Sequence, residues 1–273
     1  MAAAANKRRL PAAGVIVRYT AVVLGAFILL SSAIYASQRV EQFLVRDPHF
    51  QLPAPPDYGL DSPNVDLHGV QYASRAQILN VFAPDYGRSL YFLPLAERRR
   101  ALLSLRWVHD ASVLRTWPNR LRVDIVERKP VAFIKVPAES MARWALIDDD
   151  GVILEPPQKA PFRLPVLTGV LAGEPIQRRA TRVRRMRRLI HELGPLAERV
   201  SEIDTSDLDN LKVTEEIEGR SVTLLLGDQN FASRMRSFHE HYPDIHRKLP
   251  RTATFDLRLD DRITGLEVPS DVR

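Results

Sequence analysis

The chain has 273 residues, 45% of them hydrophobic, which allows one or two packed domains and excludes a wholly disordered protein. It has no cysteine, so a disulfide framework and thiol chemistry are both excluded and packing alone must hold the fold. The formal charge of +6 calls for something acidic nearby. For a chain held outside the cytoplasm, that is an anionic lipid surface or an acidic protein rather than nucleic acid.

No charged residue lies between Arg18 and Arg39. The run 19–38 has about the 20 residues a helix needs to cross a hydrocarbon core roughly 30 Å thick. Lys7, Arg8, Arg9 and Arg18 precede it without an acidic residue, whereas Glu41 and Asp47 mix with Arg39 and Arg46 beyond it. That asymmetry sets the N-terminus in the cytoplasm and the bulk outside, with Tyr19 and Tyr35 near the headgroups. The rival reading is a cleaved signal peptide with Ser31-Ser32-Ala33 as its site, although the run is longer than a signal core of about 7 to 15 residues. We therefore expect a basic tail over 1–18 and a transmembrane helix over 19–38. Pro48, Pro53, Pro55 and Pro56 then predict a semi-rigid, polyproline-like linker over 39–61.

A first compact unit is expected over 62–129. Val65 to His68 alternates as a short strand before the turn glycine Gly69. Ser74 with Gln77 forms a capping box for a helix bearing Ile78, Leu79 and Phe82. A second helix starts near Pro94 and turns Leu95, Leu102 and Leu103 inward. Strands over 108–114 and 121–126 follow, separated by Trp117-Pro118-Asn119. In the second of them Leu121, Val123 and Ile125 face one way and Arg122 and Asp124 the other. The order is β-α-α-β-β.

The region 130–266 reads as a mixed β-sheet domain with two helices. Strands are expected over 131–136 and 143–147, with a turn at Asp148-Asp149-Asp150-Gly151 and a hairpin partner over 152–154. Further strands fall at 164–168, 200–204, 211–213 and 221–226. Helices fall at 178–193, with Val183, Met186, Leu189 and Leu193 on the apolar side, and at 231–246. A last half-exposed strand over 253–259 alternates Phe255, Leu257 and Leu259 with Asp256 and Arg258, and a C-terminal tail occupies 267–273. Such a strand can lie at a sheet edge, where it is a template for another chain unless charge blunts it.

The residues that suggest chemistry have simpler readings. The sequence holds no nucleophile elbow, phosphate loop or dinucleotide fingerprint, and no helix-face pair at metal-ligand spacing. His239 and His241 are two apart, which on a helix turns them away from each other. No cofactor is implied. Arg178, Arg179, Arg182, Arg184, Arg185, Arg187 and Arg188 form the densest charge feature, read as a solvated helix face or as a contact for anionic lipid or an acidic partner.

Trp107-Val108, Ala111-Ser112-Val113, Arg115, Trp117-Pro118, then Glu127-Arg128-Lys129-Pro130-Val131-Ala132 carry a resemblance to the bacterial division protein family FtsQ, called DivIB in Gram-positive species. Leu146-Ile147-Asp148 with Gly151, Leu164-Pro165 with Gly169, and Phe255-Asp256-Leu257-Arg258 extend it over nearly the whole chain. The resemblance implies an α+β protein: a single transmembrane helix, a POTRA domain at 62–129 and a β domain at 130–266. It implies a non-enzymatic division scaffold at the septum of the inner membrane, binding FtsB-like and FtsL-like single-span partners and helping regulate septal peptidoglycan synthesis by FtsW and FtsI.

In that family the partner adds a strand to the last strand of the β domain. Carried over, the edge runs from Phe255 to Gly265, with Phe255, Leu257, Arg258, Leu259, Ile263 and Gly265 as partner-binding residues. The family's recruitment face maps to Val113, Arg115 and Trp117. Two rival classes remain open to test: a POTRA-bearing translocation or chaperone component, and a membrane-tethered envelope hydrolase.

Overall fold

The computed structural model describes residues 13–55, 62–137, 143–157, 162–259 and 261–266. Two compact units divide the chain: Met1–Val70, Ser74–Leu102 and Ala111–Ile125 form the first, and Gln71–Ala73, Leu103–Asp110 and Val126–Arg273 the second.

In the first unit, α1 (Ala13–Arg46) is a helix of 34 residues. Leu24, Ile28 and Leu30 are exposed around it, a surface suited to lipid rather than water. Thr20, Ser32 and Ser37 turn their hydroxyls back to carbonyls three residues earlier, at 3.0, 3.0 and 2.8 Å, which satisfies these three donors within the helix. The expected span 19–38 lies inside α1, but the helix continues through 39–46, where a linker was expected. The physical reason is that no proline stands between Pro11 and Pro48, and a change from apolar to charged side chains does not end a helix.

The Asp47 carboxylate then caps a short helical turn, accepting from the His49 N–H at 2.9 Å. Leu52 donates to Arg88 O at 3.0 Å and accepts from Gly87 N–H at 2.8 Å. Its side chain is fully buried, a contribution of about 1.5–3 kcal/mol. The start of the expected linker is therefore part of the unit, and residues 56–61 lie outside the described ones.

β1 (Val65–His68), α2 (Arg75–Asn80), α3 (Leu95–Leu103), β2 (Val108–Thr116) and β3 (Arg120–Glu127) follow in the expected order. The sheet runs β1-β3-β2, with β1 parallel to β3 and Val65 opposite Leu121. Alternation turns Leu121, Val123 and Ile125 inward, where Ile78, Phe82 and Leu102 are also buried. Ser74 caps α2 by accepting the Gln77 N–H. Asp85 is fully buried and meets Arg98 through two hydrogen bonds of 2.5 and 2.8 Å.

In the second unit, nine strands form one sheet: β4 (Pro130–Val136), β5 (Arg143–Asp148), β6 (Ile153–Leu154), β7 (Val166–Thr168), β8 (Val200–Asp204), β9 (Leu211–Ile217), β10 (Arg220–Gly227), β11 (Thr254–Asp256) and β12 (Thr264–Leu266). Across the sheet the order is β12-β11-β10-β9-β8-β7-β4-β5-β6, mixed in direction. Two helices, α4 (Ile176–Leu193) and α5 (Phe231–Lys248), bring Val183, Met186 and Leu189, and Phe231, Met235 and Phe238, into one core with Ala132, Ile134, Val213, Leu224 and Phe255. Their helical spacing and the strands' alternation meet in that core. The fold is α+β, as expected.

The triple aspartate is a turn, as its place before Gly151 predicts. Asp148 accepts the Val152 N–H at 2.7 Å and an Arg128 hydrogen bond at 2.7 Å. Glu127 has a role that sequence alone concealed: its carboxylate accepts the N–H groups of Gln71, Tyr72 and Ala73 at 2.8, 2.8 and 2.7 Å. Trp107 packs its ring on Tyr72 and donates to Glu155 O.

Candidate partner-binding edge

β12 ends the sheet. It pairs with β11 in antiparallel register, Thr254 opposite Leu266, Phe255 opposite Gly265 and Asp256 opposite Thr264. Among the described residues no strand pairs with its other side, which makes it an edge strand. The opposite end of the sheet, β6, is two residues long and offers less ladder.

The six residues expected to bind a partner divide sharply. Phe255 and Leu257 are buried at 1% and 2% exposure, and Phe255 packs against the Phe238 ring at 5.2 Å. Both belong to the core of the second unit. The strand foreseen over 253–259 is shorter than expected: β11 stops at Asp256, and a further strand, β12, pairs outside it. Leu259 is half exposed in the connection between them. Ile263 is half buried against the core. Gly265 sits in β12 where an added Cβ would meet the tip of Leu249 at 2.8 Å.

Arg258 braces the turn away from β11. Its Nε and terminal nitrogen donate to the two Asp256 oxygens at 2.9 and 2.6 Å, and its N–H donates to Asp256 at 3.0 Å. The hydrogen bond from Arg258 holds the Asp256 carboxyl below the usual carboxylate range, and that from Asp256 raises the Arg258 guanidinium. Arg234 on α5 clamps both neighbours, donating to Leu226 O at 2.7 Å and Arg258 O at 2.8 Å. Beside this brace an open groove of about 750 Å³ runs between α5 and the 257–263 segment, lined by Ser237, His241, Ile245, Leu257, Leu259 and Ile263 among others. Sequence reasoning missed Arg234 and the groove, which arise from packing between distant elements.

Of the recruitment residues, Val113 is buried. Arg115 points its guanidinium at Leu90 O and Leu93 O, at 2.6 and 2.7 Å, and so fastens one loop to β2. Arg115 and Trp117 are both exposed, Trp117 at 51% with its ring edge-on to Phe50 at 5.7 Å.

The arginine helix α4 is largely occupied within its own unit. Arg179 donates to the carbonyls of Gly151, Ala172 and Glu174. Arg182 meets Glu174 and Thr205 O, Arg185 meets Asp209, and Arg187 meets Asp149. Among the described residues no cluster of three His, Asp or Glu side chains could hold a metal ion. His239 meets the buried Glu215, and His241 meets the Ser237 carbonyl.

An apolar helix long enough to cross a membrane, a β-α-α-β-β unit and an open-edged mixed sheet define a membrane-anchored protein of the POTRA-bearing class. Residues 63–128 match the family model of the POTRA domain, FtsQ-type, and residues 139–258 that of the FtsQ/DivIB C-terminal region of cell division proteins. A cell division protein FtsQ of Koribacter versatilis is 35% identical over 208 residues, covering 74% of this chain and 59% of the relative. Another from Novosphingobium aromaticivorans is 32% identical over 209 residues, covering 76% and 61%. The chain thus belongs to the FtsQ/DivIB family of cell division proteins. It spans about three fifths of the length of these relatives. The matched C-terminal region ends at residue 258, before β12.

Proposed function

We propose that the chain is a non-catalytic scaffold of the division machinery, anchored in the inner membrane by α1 with its N-terminus cytoplasmic, and acting at the septum. Its partners are single-span division proteins of the FtsB and FtsL type, one of which adds a strand to β12. Through them it links early division proteins to septal peptidoglycan synthesis.

The observation that carries this reading is that, among the described residues, β12 is paired on one side only. Strand addition needs no preformed cavity: ladder hydrogen bonds supply affinity, and alternate side chains supply selection. Within the expected edge, the residues proposed to face the partner are Thr264, Gly265 and Leu266, with Leu259 and Ile263 at the groove beside them and Arg258 holding the bend in shape. Phe255 and Leu257 act only from beneath.

A proline scan of β12 tests it. Proline removes an N–H and is tolerated at an edge where that N–H faces solvent. Substitution where the N–H points outward should therefore weaken capture of the FtsB-like chain about tenfold or more, equivalent to about 1.4 kcal/mol, while thermal unfolding stays unchanged. Undiminished co-purification with all three single prolines, at positions 264, 265 and 266, would refute strand addition here.

A further inference from the structure

The aromatic side chains around Trp117 remain to be explained, because Val113 beside it is buried and the Arg115 guanidinium is tied to the carbonyls of Leu90 and Leu93. Four large aromatics are exposed by about half at this end: Phe43 at 58%, Tyr91 at 51%, Phe92 at 52% and Trp117 at 51%. Single exposed apolar residues are ordinary, and it is the continuity of these that matters. Phe43 packs edge-on against Phe50 at 5.7 Å, and Phe50 in turn against Trp117 at 5.7 Å. Tyr91 and Phe92 pack on each other at 4.9 Å and directly follow Ser89 and Leu90.

Ser89 supplies the link to α1, since its hydroxyl donates to Leu44 O at 2.7 Å. Arg115 ties the same loop to β2 through Leu90 O and Leu93 O. Phe43, Phe50, Trp117, Tyr91 and Phe92 are thus fastened to the last turn of α1 by a hydrogen bond and ring contacts, with no free linker between.

The length of α1 then sets their depth. The candidate span within it, Val17–Val45, has 29 residues. At a rise of about 1.5 Å per residue this is roughly 43 Å, the thickness of a bilayer with its headgroups. With 19–38 in the hydrocarbon, the turns after Gln38 cross the headgroup layer, and Phe43 and Leu44 emerge at its outer boundary. That is the level at which Trp and Tyr rings are enriched, apolar body inward and polar tip in water. Glu41 and Asp47 stand among the basic residues there, so ring insertion rather than net charge is the attraction.

We propose that this end of the first unit is a lipid-docking face, with Trp117, Tyr91 and Phe92 seated in the headgroup layer of the outer leaflet of the membrane that α1 spans. This rests on the reading of α1 as a span. It gives Trp117 a role in holding the unit at the bilayer surface, so that the unit does not swing freely on its tether.

The test uses the full chain in proteoliposomes of phosphatidylcholine and phosphatidylglycerol, with bromine on the upper acyl carbons as a short-range quencher of indole fluorescence. Trp107→Phe with Trp144→Phe leaves Trp117 as the sole tryptophan. Its emission should fall about twofold in brominated vesicles and resist aqueous iodide, whereas Trp144 alone, in Trp107→Phe with Trp117→Phe, should show neither effect. If the double variant misfolds, the difference in quenching between the unsubstituted chain and Trp117→Phe reads the same quantity. Leu24→Trp in a chain lacking the other three tryptophans reports the span itself. Quenching at Leu24→Trp with an unquenched, iodide-accessible Trp117 overturns the docking face and leaves the span intact. Absence of quenching at both overturns the span, and the docking face with it.

Discussion

The place where α1 joins its unit and the place where β12 leaves its sheet are finished in opposite ways. At the first, Ser89 meets Leu44 O, Leu52 is zipped between Gly87 and Arg88, and Arg115 closes the neighbouring loop. At the second, β11 meets one side of the ladder and nothing described meets the other. Unmet backbone groups must find water or another chain, so the first region resists change and the second invites a partner. The proposed scaffold would use both: a fixed mounting and an unfinished edge.

The contrast is broken most forcibly inside the closed region. Asp85 is fully buried and depends on Arg98 for two charge-assisted hydrogen bonds. Arg98→Ala strands that carboxylate and should cost about 3–5 kcal/mol, read as a lower denaturant midpoint for the first unit. An equivalent deletion at the edge, Leu266→Ala, should leave the midpoint nearly unchanged, because Leu266 is exposed. Equal losses from both would erase the distinction between a closed region and an open one.

Ser89→Ala is a smaller cut at the same mounting. It removes the hydrogen bond to Leu44 O and the one its hydroxyl accepts from the Tyr91 N–H, at a cost of about 1 kcal/mol. The expected signature is local: faster hydrogen exchange at Leu52 and greater mobility of a spin label at His49, with exchange in β8 to β10 unaltered. An unchanged exchange rate at Leu52 would mean that Ser89 does not hold the mounting.

Local patterns made most of this fold legible. The alternation of β3 and β4 and the helical spacing of α4 and α5 each depend on residues close in sequence, and the structure follows them. The binding edge was less legible, for a reason that is geometrical. Alternation in Phe255, Asp256, Leu257 and Arg258 reports which face of the sheet a side chain takes, but not whether the strand's in-plane sides are paired. That is decided by β10, which lies beyond α5 in the sequence, and by β12, which returns only after the 257–263 connection. β12 itself, Thr264-Gly265-Leu266, has no period to detect and a glycine at its centre that weakens any strand signal. Val113 and Arg115 show the same limit: parity in β2 placed Val113 inward, yet nothing local says that Arg115 reaches the carbonyls of Leu90 and Leu93. The mounting of α1 was concealed by its prolines, which forbid helix from Pro48 onward and are silent about the residues before.

The finest difference between the two regions is electrostatic, and it lies at the Asp256–Arg258 brace. The Arg258 hydrogen bond lowers the Asp256 pKa in the folded chain below its unfolded value. Such a group stabilises the fold fully above the ordinary aspartate range, and the contribution fades as the pH falls through the lowered value. Arg258 stays charged throughout, since its own pKa is raised. The pair is partly exposed, with 47% of the Arg258 side chain in water, so its contribution is under about 1 kcal/mol. Acidification should therefore loosen the bend between β11 and β12 without unfolding the core. In a carboxyl-detected NMR titration, Asp256 should titrate below its unfolded value, and Arg258→Gln should move it back towards the ordinary range. An Asp256 titration indifferent to that substitution would show that Arg258 does not brace the edge, and the bend would then owe its shape to Arg234 alone.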